Sequence, residues 1–397
     1  MKTTELSSDN RLLNAVIDVW ESGGNEVVSA RQVSANAAVP VSSIYHHFGS
    51  LEQLLVLAQE QAQACARDWC ETRLDQLAGF SADARAFAPF FAATIDDWVH
   101  QQRRLAFAWR EGQMLRIEGE PGMQMRLGWR QLWAAFWQEA CDRFGLGDRA
   151  WLAEHLFENE SFVHMIGWHR AVDRAGLDEF ARGVSAWMSG EPVPPAPWRD
   201  FARTEALRAA PVMPSHDGTT SRIAAATAAL IEEAGPSGVT HRAVAERTDL
   251  TLGVVSHKLR TKTDLLQAGY EAVYLTAVTR LREHTSTISP ATADATLDGL
   301  ADFMSQSLRG QGVHALHLAV ARDPALRPFG LQLRYLRGMT SGSLLAMLRP
   351  DRAEPSHLEA ALLSSFLSSL PRMHADDAPT DARPRIRQAI ESMVSLL

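Results

Sequence analysis

The sequence has few cysteines and no long apolar run. Its three cysteines, Cys65, Cys70 and Cys141, are odd in number and lack CxxC spacing, so they indicate neither a disulfide framework nor a zinc site. No apolar run approaches the roughly 20 residues needed to span a bilayer, and the N-terminal segment MKTTELSSDN has no apolar signal core. We therefore expect a cytoplasmic protein with reduced thiols and no bound metal.

Short catalytic motifs are also missing. The chain contains no HExxH, no GxSxG and no Gly-rich phosphate loop. Within ENESFVHMIGWH, Glu160 and His164 are four residues apart and share one face of a helix. This pair could bind a metal, act as acid and base or orient a ligand, and the simpler interpretation is a buried polar contact in a helical bundle. We predict that the protein is not an enzyme and uses no cofactor.

An excess of positive charge is absent as well. The 47 acidic residues outnumber the 39 Lys and Arg, which gives a net charge of -8 and argues against a general binder of polyanions. Any contact with nucleic acid must therefore depend on the local distribution of charge.

The sequence does contain an internal repeat. Residues 11–55, RLLNAVIDVWESGGNEVVSARQVSANAAVPVSSIYHHFGSLEQLL, are repeated without insertion at residues 222–266, RIAAATAALIEEAGPSGVTHRAVAERTDLTLGVVSHKLRTKTDLL. A constant offset of 211 positions pairs Gly24 with Gly235 and His46 with His257, along with many other residues. We call these segments the first copy and the second copy.

Each copy is predicted to form three helices. Apolar residues recur at helical spacing in the first helix, and Gly24 or Gly235 follows where that helix should end. Ser29 and Thr240 are predicted N-caps of the second helix. The third helix carries small or polar outward residues, as expected of a helix that enters the DNA major groove.

The third-helix region resembles a known family. VPVSSIYHHFGSLEQLL is similar to the DNA-binding signature of the tetracycline-repressor (TetR/AcrR) family, with Tyr45, His47 and Phe48 at matching positions. LTLGVVSHKLRTKTDLL keeps Gly253, Val255, Lys262 and the leucine pair Leu265 and Leu266 of that signature. The first copy departs in turn where Leu51 replaces the usual Lys, and the second where Ser256 and Leu259 replace Tyr and Phe.

The two copies differ in charge. Basic residues outnumber acidic residues between positions 240 and 266, whereas in residues 29–55 a single arginine, Arg31, stands against Glu52. We therefore expect the second copy to supply most phosphate contacts. The candidate DNA-binding residues are Ser29, Arg31, Val41, Ser42, Ser43, Tyr45, His46, His47, Thr240, Arg242, Leu252, Gly253, Val254, Ser256, His257, Lys258 and Lys262.

A chain of 397 residues is long enough for two or more domains. We predict an all-α protein of two tandem TetR-like units. Residues 1–55 and 221–266 form helix-turn-helix domains, residues 56–190 and 267–397 form helical domains, and residues 191–220 form a Pro-rich linker with one short helix near 199–210. Other helices are predicted at 149–174, 177–188, 262–283, 291–309, 313–321, 327–348, 354–369 and 381–396.

Tryptophan is confined to the first half, since all eleven tryptophans lie at or before Trp198. By the resemblance, the helical domain holds a small-molecule effector, and flat aromatic walls suit a flat apolar or aromatic one. An aromatic stripe at helical spacing is also compatible with an ordinary core. The candidate effector-binding residues are Phe91, Trp98, Trp109, Met114, Trp129, Trp133, Glu160 and His164.

These expectations combine into a ligand-responsive bacterial regulator, most simply a repressor. One chain would act as a pseudo-dimer on an asymmetric DNA operator, because the exposed third-helix residues differ between the copies. Further association of two chains stays open. Two other interpretations remain: a small-molecule sensor or co-regulator with degenerate DNA-binding motifs, which acts through protein contacts, and an enzyme built in the helical bundle.

Overall fold

The computed structural model describes residues 7–80, 83–209, 216–287, 293–308, 310–336, 338, 341–350 and 353–396. Across these ranges the chain forms helices, turns and loops and no strand, which confirms the predicted all-α class. The chain divides into two compact units, Met1–Phe157 and Glu158–Leu397, which we call unit 1 and unit 2. The division falls within one helix and coincides with neither end of the predicted linker.

In the described part of unit 1 there are seven complete helices and the start of an eighth. They are α1 (Ser8–Ser22), α2 (Ala30–Ala37), α3 (Val41–Phe48), α4 (Leu51–Asp75), α5 (Phe87–His100), α6 (Arg103–Met114), α7 (Gly119–Arg143) and α8 (Ala150–Val163). The first three, which we call the first head, enclose a small core that includes the fully buried Leu12, Val33 and Ile44.

The residues of unit 2 that the structure describes continue from the end of α8 through twelve further helices. They are α9 (Arg170–Ser189), α10 (Pro197–Arg208), α11 (Gly218–Ala234), α12 (His241–Thr248), α13 (Leu252–Lys258), α14 (Lys262–Thr287), α15 (Ala293–Gln306), α16 (Gly312–Arg322), α17 (Arg327–Tyr335), α18 (Ser341–Leu348), α19 (His357–Met373) and α20 (Pro379–Val394). We call α11–α13 the second head.

The second head repeats the local structure of the first. The side chain of Ser29 accepts a hydrogen bond from the Gln32 backbone N–H, and that of Thr240 accepts one from the Ala243 N–H, so both predicted N-caps are confirmed. Gly24 and Gly235 both have positive φ, 74° and 71°. These angles are accessible to glycine without a steric penalty, and they let the chain turn after the first helix of each head.

Two buried glutamines connect α4 to its neighbours in unit 1. The Gln59 side chain donates to the Ala108 carbonyl of α6 at 2.7 Å and accepts from Trp129 Nε1 of α7 at 2.8 Å. The Gln63 side chain donates to the Met125 carbonyl of α7 at 2.6 Å. Glycine leaves room for the Gln59 amide group, since a Cβ at Gly112 would lie 2.7 Å from Gln59 Oε1. Helix α4 is therefore fixed to α6 and α7 by directional bonds as well as by apolar packing.

Within unit 2, the end of α8 is bonded to α19 of the second half. Arg372 donates to both carboxylate oxygens of Glu158 at 2.8 and 2.6 Å, and Asn159 Nδ2 donates to Ser365 Oγ at 3.0 Å. Both α8 side chains are buried, and a bidentate guanidinium–carboxylate pair fixes geometry strongly. These contacts place the end of the first half among helices of the second.

The predicted linker is largely an ordered part of unit 2. Its predicted short helix is present as α10, which begins at Pro197 and ends at Arg208. Ala202 and Ala206 of α10 are fully buried against Leu331 and Tyr335 of α17. The helical part of the predicted linker is therefore packed into unit 2. Pro211 and Pro214 lie outside the described residues.

Two predicted long helices are interrupted. The helix predicted at 149–174 ends at Val163, and α9 begins only at Arg170, because residues 164–169 turn around Gly167. The helix predicted at 327–348 is two helices, α17 and α18. Gly338 between them has φ 90°, and a Cβ there would lie 2.7 Å from the Ala360 backbone. Close approach of α19 thus explains the second break.

Candidate nucleic-acid interface and effector site

Helix α3 presents a polar outer face in the first head. Ile44 is fully buried and Phe48 nearly so, which anchors the helix to the core. Tyr45 is 55% exposed, and His46 and His47 beside it are exposed. Their imidazole rings meet edge to face with centroids 5.1 Å apart. Hydroxyl and imidazole groups at the end of a short helix can donate to base edges and phosphates alike.

Helix α13 has the corresponding orientation in the second head. Val255 is fully buried at the position equivalent to Ile44, and Leu252 and Val254 are 54% and 37% exposed. The exposed surface is thus more apolar than that of α3, and it offers contact to thymine methyl groups. The predicted difference between the two third-helix surfaces is present in the structure.

Every candidate DNA-binding residue is exposed or half-buried. Half-buried are Val41, Ser43, Ser256 and Lys262, and the remaining candidates are exposed. Arg260 is exposed but was not among the candidates. It lies at the position where the first copy has Gly49. The local excess of basic residues between positions 240 and 266 is the signal that could have found it.

Three of the five Lys and Arg residues between positions 240 and 266 form ion pairs with carboxylates. Arg242 pairs with Glu246 at 3.0 Å, and Arg247 pairs with Glu233 at 2.7 Å. Lys258 pairs with Asp217, whose side chain is also the N-cap of α11. The hydrogen bond from the Lys258 ammonium group is the main reason that the pKa of Asp217 lies well below its usual range, and the hydrogen bonds from Thr220 lower it further. A phosphate must compete with these exposed carboxylates, which lowers the net attraction expected from the count of cations.

The first head is bonded to α6. The Asn25 backbone N–H donates to Glu111 Oε2 at 3.0 Å, and Asn25 Nδ2 donates to the Glu111 carbonyl at 3.0 Å. Asn25 Oδ1 in turn accepts from Trp20 Nε1 at 2.7 Å. Neither residue was singled out from the sequence, since 86 positions separate them. A displacement of α6 would therefore reach the head directly.

The predicted aromatic residues form a contiguous cluster in unit 1. Trp98 and Trp133 have ring centroids 4.8 Å apart, and Trp109 lies 5.0 Å from Trp133 and 5.9 Å from Trp129. Phe91 contacts Trp137 at 5.2 Å, whereas Met114 is half-buried near the end of α6. We call the following residues the aromatic cluster: Phe87, Phe90, Phe91, Trp98, Trp109, Trp129, Trp133, Phe136, Trp137 and Phe157.

Two indole groups in the cluster have unused donors. Trp133 Nε1 and Trp137 Nε1 are buried and have no hydrogen-bond partner among the described residues. Trp137 is not among the candidate effector-binding residues that the sequence suggested. Beside the cluster, the Arg110 guanidinium lies 3.7 Å from the centre of the Trp109 ring, a cation–π contact with a side chain that is 1% exposed.

Glu160 and His164 lie in unit 2, whereas the other effector candidates lie in unit 1. His164 Nδ1 is 2.8 Å from the Glu160 carbonyl oxygen and 3.5 Å from its carboxylate, and both side chains are buried. The pair does contact itself across one helical turn, as the spacing predicts. Glu158 and Asn159 beside it are also buried, which agrees with the simpler interpretation of a buried polar contact.

Among the described residues no group of three or more His, Cys, Asp or Glu side chains is placed to hold a metal ion. The three cysteines are free, with Cys65 exposed and Cys70 and Cys141 buried. Burial raises the pKa of the Cys70 thiol, and it raises that of Cys141 to about 12.

None of the helices described has the length and apolar character needed to cross a membrane. Neither a scan against protein-family models nor a search of curated proteins finds a match to this chain.

Proposed function

We propose that this chain is a ligand-responsive transcriptional regulator that resembles the TetR/AcrR family, with two family units joined in one polypeptide. The observation that carries the proposal is the structural repetition of the heads. The second helix spans Ala30–Ala37 in one head and His241–Thr248 in the other, and α4 and α14 begin at Leu51 and Lys262. Each pair of starting residues differs by the same 211 positions, and in each head the third helix exposes its outer face.

DNA recognition would use the exposed faces of α3 and α13. A helix of this size fits the major groove, where its first residues contact base edges and its flanks contact phosphates. In the first head Tyr45 and His46 would contact bases. In the second, Leu252 and Val254 would contact thymine methyl groups, while Lys258 and Lys262 would contact phosphates.

The pairing of halves would occur inside one chain. In a homodimer of the family, the last two helices of each subunit pair with those of its partner. Here Glu158 and Asn159 at the end of α8 bond to α19 of the second half, and Gly183 of α9 faces Leu358 and Leu362 of α19. These contacts support an intramolecular pseudo-dimer. Because its two DNA-reading surfaces differ, the operator would be asymmetric.

Release from DNA would begin in the aromatic cluster. An effector that separates the rings must displace α6 or α7, since Trp109 is on α6 and Trp129 is on α7. The Gln59 bonds would transmit this displacement to α4, and the Glu111–Asn25 bonds would transmit it to the first head. The effector would shift the equilibrium only by its differential affinity for the two arrangements.

A mobility shift with the DNA upstream of the protein's own coding sequence tests the proposal, and footprinting then maps the site. We expect a sequence-specific complex whose two half-sites differ. A perfect inverted repeat would contradict the asymmetric operator. Failure to shift this DNA, and a library of random duplexes as well, would contradict DNA binding and favour the sensor that acts through protein contacts. The ion pairs on Arg242, Arg247 and Lys258 are the observation on that side.

A further inference from the structure

Three tryptophans lie at four-residue intervals on α7, and they use their indole N–H groups differently. Trp129 donates to Gln59 Oε1 at 2.8 Å. The N–H groups of Trp133 and Trp137 have no acceptor among the described residues, although these side chains are only 2% and 0% exposed. The unused donors therefore lie on successive turns of one helix.

A buried donor without a partner is unfavourable, because folding removes its hydrogen bond to water and supplies no other hydrogen bond in its place. A phenylalanine would supply a similar aromatic surface without that cost, and phenylalanine occupies neighbouring positions of this core, including Phe136 and Phe157. The presence of two indoles at these positions would be explained if their donors are satisfied in another state of the protein. An acceptor on a bound molecule would provide that state.

The surroundings restrict the shape of such a molecule. Trp133 has ring centroids of Trp98 at 4.8 Å and Trp109 at 5.0 Å, and Phe157 lies 4.5 Å from Trp133 and 5.1 Å from Trp137. Both donors are thus bordered by flat apolar rings that contact one another. A planar molecule can insert between such rings at the cost of separating them and stack on their faces.

We propose that the aromatic cluster binds a planar aromatic molecule with a hydrogen-bond acceptor, of the aryl ketone type, whose oxygen accepts from the indole N–H of Trp133 or Trp137. The role of this molecule as an effector rests on the proposed function, but its recognition does not. Insertion moves α7, to which α4 is bonded through Gln59 and Gln63.

Isothermal titration calorimetry on the full chain can test this with two probes of nearly equal shape, 2-acetylnaphthalene and 2-ethylnaphthalene. The ketone should bind about tenfold more tightly, which is the effect of one added hydrogen bond. Trp133→Phe or Trp137→Phe should reduce this preference to about one while changing the affinity for the hydrocarbon only a few-fold. Trp129→Phe is the matched control, because its donor is already used by Gln59, and it should keep the preference.

Equal affinity for the two probes, or binding of neither, would overturn the proposal, and so would an undiminished preference in both variants. If a variant does not fold, the wild-type comparison still decides. Infrared spectroscopy of the complex adds a second readout, since a hydrogen-bonded carbonyl absorbs at lower wavenumber than a free one. The DNA mobility shift is independent of these results. A ketone preference without DNA binding would support the site and contradict the regulator, and the reverse outcome would contradict the site alone.

Discussion

Ala38 and Asp249 adopt the same left-handed backbone conformation, with φ of 51° and 52°. Each follows the second helix of its head, and they are the two non-glycine residues with positive φ in the part of the chain that the structure describes. Side chains with a Cβ atom rarely adopt this conformation. The turn between the second and third helices is therefore held by the surrounding head in both halves.

The strain at Ala38 predicts that Ala38→Gly stabilises the first head. Glycine removes a cost of about 1–2 kcal/mol in this conformation and adds an entropic cost of about 0.5–1 kcal/mol, so the net gain should be about 0.5–1 kcal/mol. Urea unfolding measures it. Ala35→Gly, at an exposed site inside the preceding helix α2, should instead lose about 1 kcal/mol. The same sign for both variants would contradict strain at Ala38.

The heads were predictable from sequence because their signals are local. Hydroxyl N-caps at Ser29 and Thr240 and glycines at 24 and 235 act over a few residues, and the repeat confirmed each signal independently. The break between α17 and α18 was missed because it depends on α19, whose Ala360 backbone comes close to Gly338. That contact is tertiary, and no local pattern reports it.

The candidate effector site was predictable only in part. Helical spacing is compatible with a core as well as with an effector site at Trp129 and Trp133, and they are 3% and 2% exposed. It could not predict which indole donor is paired, because the partner of Trp129 is Gln59, 70 positions away. The packing of α10 was missed for a similar reason, since Ala202 and Ala206 become core residues only where α17 meets them.

Lys262 is the first residue of α14 and is half-buried at the edge of the second head. Lys262→Ala should weaken DNA binding uniformly across sequences and reduce the salt slope of log Kd by about one. Mobility shifts at several salt concentrations measure both. Arg182→Ala, an exposed cation on α9 outside both heads, should leave the slope unchanged. An unaltered slope in Lys262→Ala would remove this residue from the phosphate contacts.

The Lys258–Asp217 pair predicts a gain of affinity. Asp217→Asn keeps an N-cap acceptor for Thr220 and releases Lys258 from its carboxylate partner. We expect DNA affinity to rise a few-fold at low salt, with a salt slope steeper by about one. Glu354→Gln removes one negative charge from an exposed loop position and serves as the control for net charge. Equal effects of the two substitutions would show that only net charge matters.

The thiols should react unequally with iodoacetamide. Cys65 is exposed, whereas Cys70 and Cys141 are buried, and burial raises the pKa of both buried thiols, to about 12 for Cys141. Because the thiolate is the reactive form, the native protein should take up one alkyl group at pH 8 and the urea-unfolded protein three. Mass spectrometry of intact protein and peptides reads the result. Early modification of Cys141 in the native chain would contradict the packing of α7.

Tyr335 should make the stability of unit 2 fall as the pH rises in the alkaline range. Its hydroxyl donates to Asp173 Oδ1 at 2.7 Å, and burial raises its pKa above the ordinary value of 10.0. In the unfolded chain Tyr335 should ionise near its ordinary pKa. The contribution of its neutral hydroxyl to the free energy of unfolding is therefore complete below about pH 10, and it is lost as the pH rises through the raised pKa of the folded state. Tyr335→Phe should cost about 1–3 kcal/mol at pH 8, because buried Asp173 loses a donor, and should make stability fall less steeply above pH 10. Urea unfolding at pH 8 and above pH 10 measures this. Tyr45→Phe, at an exposed tyrosine, is the control. An equal decline in wild type and Tyr335→Phe would show that the hydroxyl is not held neutral by burial.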